Sequence, residues 1–175
     1  MRRRLLLVLV AVLLAWAPAA AAEPPGGDRA WPVPGAHGAR PLVLRAWAPP
    51  PQRWAAGHRG VDLAAAPGTP VRAATPGRVS YAGEVAGRGV VAVELTPGLR
   101  TTYEPVRAVV REGEPVRAGQ VIGFVAPGPG WHCGAGCVHW GLRDGQEYRD
   151  PLSLLPPWLL RRPPSRLLPL VVSAP

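Results

Sequence analysis

Apolar residues along this chain come in short β-branched runs rather than long periodic ones. Residues 71–73, 78–81, 90–95, 101–103, 121–125 and 138–140 are such runs, alternating with Gly/Pro punctuation. Closely spaced short runs with Gly-rich turns predict an all-β sandwich or barrel-like core with Gly/Pro-rich loops. No window carries the 3.6-residue period of an amphipathic helix. Gly60-Val61-Asp62-Leu63-Ala64 alternates in the same manner and is a further predicted strand.

The flanks have a different texture. Met1-Arg2-Arg3-Arg4 followed by an apolar stretch and the small residues 19–22 reads as a secretory signal peptide over residues 1–22. Residues 23–40 are rich in Pro, Gly and Ala and are expected to be a linker. The β domain is expected over 41–155, and 156–175 is a Pro/Leu-rich tail, irregular or a short surface helix. Prolines and arginines interrupt that tail well short of the ~20 apolar residues a membrane span needs. Within the domain, Gly68-Thr69-Pro70-Val71-Arg72-Ala73 recurs as Gly113-Glu114-Pro115-Val116-Arg117-Ala118. Five identities in six positions argue for two related β-halves packed together.

Charge and composition narrow the function. The formal charge is +9, and removal of Arg2, Arg3 and Arg4 with the signal peptide leaves +6. Such a chain favours anionic surroundings, such as a cell wall or membrane surface. The arginines are scattered and no basic run is interleaved with aromatics, which argues against nucleic acid. The chain has no lysine, which excludes a lipoyl- or biotin-carrier domain. Export implies an oxidising environment, where the two cysteines, Cys133 and Cys137, can pair.

Three residues carry candidate chemistry. His58 and Asp62 stand four apart in Gly57-His58-Arg59-Gly60-Val61-Asp62, and His139 lies far downstream beside Trp140. Residues at i and i+2 of a strand share a face, so adjacent strands could bring two imidazoles and a carboxylate together, with Cys137 alongside. Nitrogen and oxygen ligands in that combination suit zinc, and three protein ligands leave a fourth position for water. The ordinary alternatives are a loop histidine for His58, a turn-capping carboxylate for Asp62 and a core histidine for His139.

The order of motifs weighs for the metal. His58-Arg59-Gly60-Val61-Asp62-Leu63-Ala64, Gly68-Thr69-Pro70-Val71, Gly77-Arg78-Val79, Gly119-Gln120-Val121-Ile122-Gly123, His139-Trp140 and Asp150-Pro151 together resemble the lysostaphin/LytM-type peptidoglycan metallopeptidases. The resemblance covers about residues 43–155. It implies a β-sheet core built from a duplicated hybrid motif, one bound zinc ion and cleavage of peptide cross-links in bacterial cell walls. By position, His58, Asp62 and His139 match the three zinc ligands of that family.

The chain departs from the family at two places. The family's H-x-H reads Cys137-Val138-His139, and its tyrosine-x-histidine element reads Tyr103-Glu104-Pro105. The two histidines that flank the zinc-bound water there are thus Cys137 and Pro105 here. General acid–base assistance is worth about 10²–10⁴-fold, so their loss predicts a slow enzyme or one with substitutes. The candidate substitutes are Tyr103, an oxyanion stabiliser or else a core aromatic, Glu104, which alternation is expected to turn away from the metal, and His132, which could swing in from the loop before Cys133 or be an ordinary loop histidine. Cys133 and Cys137 are expected to close a small disulfide loop. The other reading is a Cys137 thiolate as a fourth ligand, which would close the site. The expected function is an exported, zinc-dependent endopeptidase-like protein of the secreted or wall fraction, acting on peptidoglycan. The alternative is a catalytically inactive, zinc-containing wall-binding or hydrolase-regulating module. The oligomeric state is not readable from the sequence.

Overall fold

The computed structural model describes residues 28–52, 54–128 and 136–161. Among the described residues the chain forms eleven strands: β1 (Val43–Arg45), β2 (Gly60–Ala64), β3 (Pro70–Arg72), β4 (Gly77–Val85), β5 (Arg88–Thr96), β6 (Leu99–Glu104), β7 (Val106–Ala108), β8 (Pro115–Val116), β9 (Val121–Val125), β10 (Cys137–Asp144) and β11 (Glu147–Arg149). The larger sheet has the order β1-β2-β10-β6-β5-β4-β8, with β11 paired to β10, and the smaller has the order β3-β9-β7. All pairings are antiparallel. The all-β expectation is met, and each of the predicted runs falls on one of these strands.

The internal repeat accounts for how the two sheets interlock. The strand of the first copy, β3, pairs with β9, which follows the second copy. The strand of the second copy, β8, pairs with β4, which follows the first. The exchange is reciprocal down to single hydrogen bonds. Gly68 donates to the Val125 carbonyl and Val125 to the Thr69 carbonyl, while Gly113 donates to Val79 and Val79 to Glu114. Both glycines have positive φ, 84° and 83°. In Ala66-Pro67-Gly68-Thr69, proline followed by that glycine is the pattern of a type II turn.

One apolar cluster takes side chains from both sheets, among them Leu63 and Val93 of the larger and Val71, Val106 and Ile122 of the smaller. Across the larger sheet, register sets Val61, Trp140, Tyr103 and Val91 side by side, and all four are fully buried. The Trp140 indole donates to Thr101 Oγ1 at 2.6 Å, which satisfies the polar end of a ring otherwise surrounded by hydrocarbon.

The flanking segments join this core. Residues 28–40, within the stretch expected as a linker, bury Val33 completely and set the Trp31 ring edge-on to Trp140. Ala30 and Pro32 bond the backbone of Ala74 and Arg72. The end of the described chain is a single helical turn, Pro157–Leu160. It is held by Trp31 Nε1 donating to the Leu159 carbonyl and by Arg40 donating to the Leu160 carbonyl. The expected signal peptide and residues 162–175 of the tail lie outside the described residues.

Candidate metal centre

The row next to the buried one is chemically its opposite. One residue along the same strands, Asp62 of β2 faces His139 of β10, which faces Glu104 of β6. Side chains alternate across a sheet, so this row lies on the face away from Val61, Trp140 and Tyr103. His58 joins from the segment before β2, where its backbone exchanges two hydrogen bonds with Ala48.

The donors converge. Asp62 Oδ1 lies 3.1 Å from His58 Nε2 and 2.8 Å from His139 Nδ1, and the two nitrogens are 3.2 Å apart. Zinc with bonds of 2.0–2.1 Å in a tetrahedron sets its ligands about 3.3 Å apart, so the three donors are spaced for that ion with little adjustment. His58 Nδ1 lies 2.7 Å from the Ala46 carbonyl and donates to it. In the neutral ring this leaves the lone pair on Nε2, aimed at the other two donors. With His139 Nδ1 also in its unprotonated form, two ring nitrogens and a carboxylate oxygen would offer electron pairs to one point, which is a donor set that suits a cation. His58 and Asp62 are buried at 2% and 1% exposure, whereas the His139 side chain is 12% exposed. The approach to the site is therefore from the His139 side.

Gly60 makes room for this arrangement. A Cβ at Gly60 would stand 2.4 Å from the Trp140 carbonyl oxygen and 2.6 Å from His139 Nε2. The imidazole of His139 lies over β2 in the space a side chain would fill. The glycine in His58-Arg59-Gly60-Val61-Asp62 thus has a packing reason as well as a motif.

Among the remaining sequence candidates, the structure reverses the expected faces of Tyr103 and Glu104. Tyr103 belongs to the buried row. Its hydroxyl accepts from the Ala74 amide at 2.9 Å, and burial pushes its pKa from 10.0 up to about 12. A phenol held there does not reach the donors, so of the two roles open to Tyr103 the oxyanion role is ruled out and the core role stands. Glu104, expected to turn away, is instead paired with His139 on the site face. Its carboxylate is 3.4 Å from the Arg88 guanidinium. Sequence reasoning missed Arg88, which β5 carries in across from the end of β6. Cys137 shares the face of His139 and is buried at 4%. Among the described residues, however, the converging group is His58, Asp62 and His139, without the sulfur. His132 and Cys133 lie outside the described residues. Pro105 follows Glu104 and is half-buried.

Comparison with known proteins decides the family. The model for peptidase family M23 matches residues 56–151, more than half of the 175-residue chain. The chain belongs to peptidase family M23. The M23 match begins just before His58 and ends just after Asp150, so it spans all three donors and both copies of the repeat. An uncharacterized protein of Mycobacterium tuberculosis is 48% identical over 135 residues, 74% of this chain and 52% of that relative. The chain therefore spans about half the length of the mycobacterial relatives it matches. The DD-carboxypeptidase/endopeptidase Mpg of Neisseria gonorrhoeae is 41% identical over 69 residues, 39% of this chain and 16% of Mpg. Among solved structures, the antimicrobial peptidase lysostaphin from Staphylococcus simulans superposes with a TM-score of 0.54 at 25% identity, covering 69% of this chain and 50% of lysostaphin. Family and neighbours support a peptidase-like role.

Proposed function

We propose that the chain is an exported, zinc-dependent endopeptidase acting on peptide cross-links of peptidoglycan, with acid–base residues that differ from those of its relatives. The observation that carries this reading is the convergence of His58 Nε2, Asp62 Oδ1 and His139 Nδ1 within 4.8 Å of one another, on the more open side of His139. Zinc bound by three protein ligands supplies a Lewis acid and a water whose pKa falls to about 7. Asp62 contributes the negative charge of the ligand set. The Ala46 carbonyl fixes the tautomer and ring orientation of His58, as second-sphere partners of zinc histidines do. Glu104 is the carboxylate paired in register with His139 on the site face, and it is the residue of this chain that would accept a proton there. Arg88 orients that carboxylate from 3.4 Å. Glu104 would thus serve where Pro105 and Cys137 replace the family's histidines.

Export rests on the signal-peptide pattern of residues 1–22, and places the protein in the secreted or wall fraction. No helix among the described residues is long and apolar enough to cross a membrane. A Cys133–Cys137 disulfide belongs to the same reading, supported by the absence of a free thiol at Cys137. It would keep the Cys137 sulfur out of the ligand set, leaving His58, Asp62 and His139 to hold the ion, and would pin the segment that runs into β10.

Pro105 and Cys137 favour a second reading, a zinc-containing module that binds the wall without cutting it. Release of peptides from purified peptidoglycan separates the two. Chelator-sensitive release that disappears in His139→Ala is expected for the enzyme. Wall binding with zinc present and no release above the His139→Ala background would leave only the binding module.

A further inference from the structure

A second feature shares the face of the metal centre. Along β10, alternation puts His139, Gly141 and Arg143 on one side, so Arg143 stands about 13 Å from His139 at ~3.3 Å per residue. Arg143 is paired in register with Tyr148 of β11. The guanidinium carbons of Arg143 and Arg59 each lie 5.8 Å from the Tyr148 ring centroid. Arg59 directly follows the ligand His58. The two arginines and Tyr148 line a cleft of about 700 Å³ whose other wall is Pro49-Pro50-Pro51 and Trp54.

That wall is built rather than loose. Two backbone hydrogen bonds between Ala48 and His58 close the loop at its base. A Cβ on Gly57 would stand 2.6 Å from the Pro50 nitrogen, so the glycine lets the loop fold back on itself. Arg59 also donates to the Ala55 carbonyl. Three successive prolines have restricted φ, so little backbone freedom is lost when something binds against them. Trp54 and Tyr148 are 88% and 42% exposed, an unusual display of aromatic surface. One acid, Glu147, lines the cleft, and it is paired with Arg149 at 3.4 Å.

Building on the peptidase reading above, we propose that this cleft is a substrate subsite that holds a free carboxylate of the peptide stem. Planar guanidiniums recognise carboxylates through paired hydrogen bonds, and the aromatic and proline walls take the apolar part of the same residue. An extended peptide covers the distance from His139 to Arg143 in about four residues. The bound carboxylate therefore sits about three or four residues from the scissile bond.

The test is co-sedimentation of the zinc-supplemented full-length protein with purified sacculi on ice, after phosphate-containing wall polymers have been stripped. The sacculi are used untreated or with their carboxylates amidated. Amidation is expected to weaken binding about tenfold. The double variant Arg59→Gln/Arg143→Gln is expected to lose binding to untreated sacculi by a similar factor and to bind amidated sacculi as the wild type does. An unchanged circular dichroism spectrum and melting temperature identify the variant as folded. Equal binding to both wall preparations would overturn the proposal. So would an amidation effect that persists in the double variant, which places carboxylate recognition elsewhere. Binding that ignores amidation but falls in Trp54→Ala would assign the cleft to glycan and also overturn it. Carboxylate-dependent binding without peptide release would leave this subsite standing while removing the enzyme reading, and release without carboxylate dependence would do the reverse.

Discussion

Two neighbouring rows of one sheet make opposite use of the same backbone. Val61, Trp140, Tyr103 and Val91 form a dry row that is fully buried, whereas Asp62, His139 and Glu104 form a polar row on the other face. The rows are one residue apart, and a one-residue slip in register would exchange them. The rigidity of the first holds the geometry of the second. Trp140 and Tyr103 fix β10 and β6 from beneath, and the neighbours of those two residues, His139 and Glu104, are thereby set at the site. Changes in the dry row should cost stability, and changes in the polar row should cost zinc binding or turnover.

Trp140→Ala should have the largest effect. Removing a fully buried indole leaves a cavity and takes one donor from the Thr101 hydroxyl, which keeps its own bond to the Gly141 carbonyl, and costs about 3–5 kcal/mol. Chemical denaturation would show it, and a loss below about 1 kcal/mol would break the division of labour between the rows. Glu104→Gln comes next. Peptide release should fall about a hundredfold, the lower end for a lost general base, with zinc content and melting temperature unchanged. Unaltered release would take the base role away from Glu104.

Tyr103→Phe has a smaller effect with a pH signature. The folded-state pKa of Tyr103, about 12, lies above the ordinary tyrosine value of 10.0. The unfolded chain therefore gives up this proton first as pH rises. The contribution of Tyr103 is fully present below pH 10.0 and is lost as pH rises through about 12, by roughly 2–3 kcal/mol for this buried group. Stability curves of wild type and Tyr103→Phe should converge over that interval. A constant gap between them up to pH 12 would contradict the buried placement of the phenol.

The sequence made parts of this legible and hid others for physical reasons. The longer strands could be recognised from alternation, β3 and β8 from the repeat, and the trio His58, Asp62 and His139 from spacing and motif order, all of which are read directly along the chain. Strands β1, β7 and β11 hold three residues each and lie outside the repeat, too few for alternation to register. Alternation also fixes only parity. It says that Tyr103 and Glu104 point opposite ways, but which of them faces the metal depends on the register of β6 against β10, a non-local pairing. The Ala46 carbonyl behind His58 and the Arg88 partner of Glu104 are likewise products of tertiary contact. Val33 and Trp31 enter the core singly from irregular backbone, so residues 23–40 read as a linker.

The proposed function stands or falls on His58, Asp62 and His139 forming one zinc site. Metal content of purified protein, measured beside His58→Ala, Asp62→Ala and His139→Ala variants with intact circular dichroism, tests it most directly. The account predicts close to one zinc per chain in the wild type and almost none in each variant. Wild-type protein that takes up no zinc, or variants that keep it, would contradict the account.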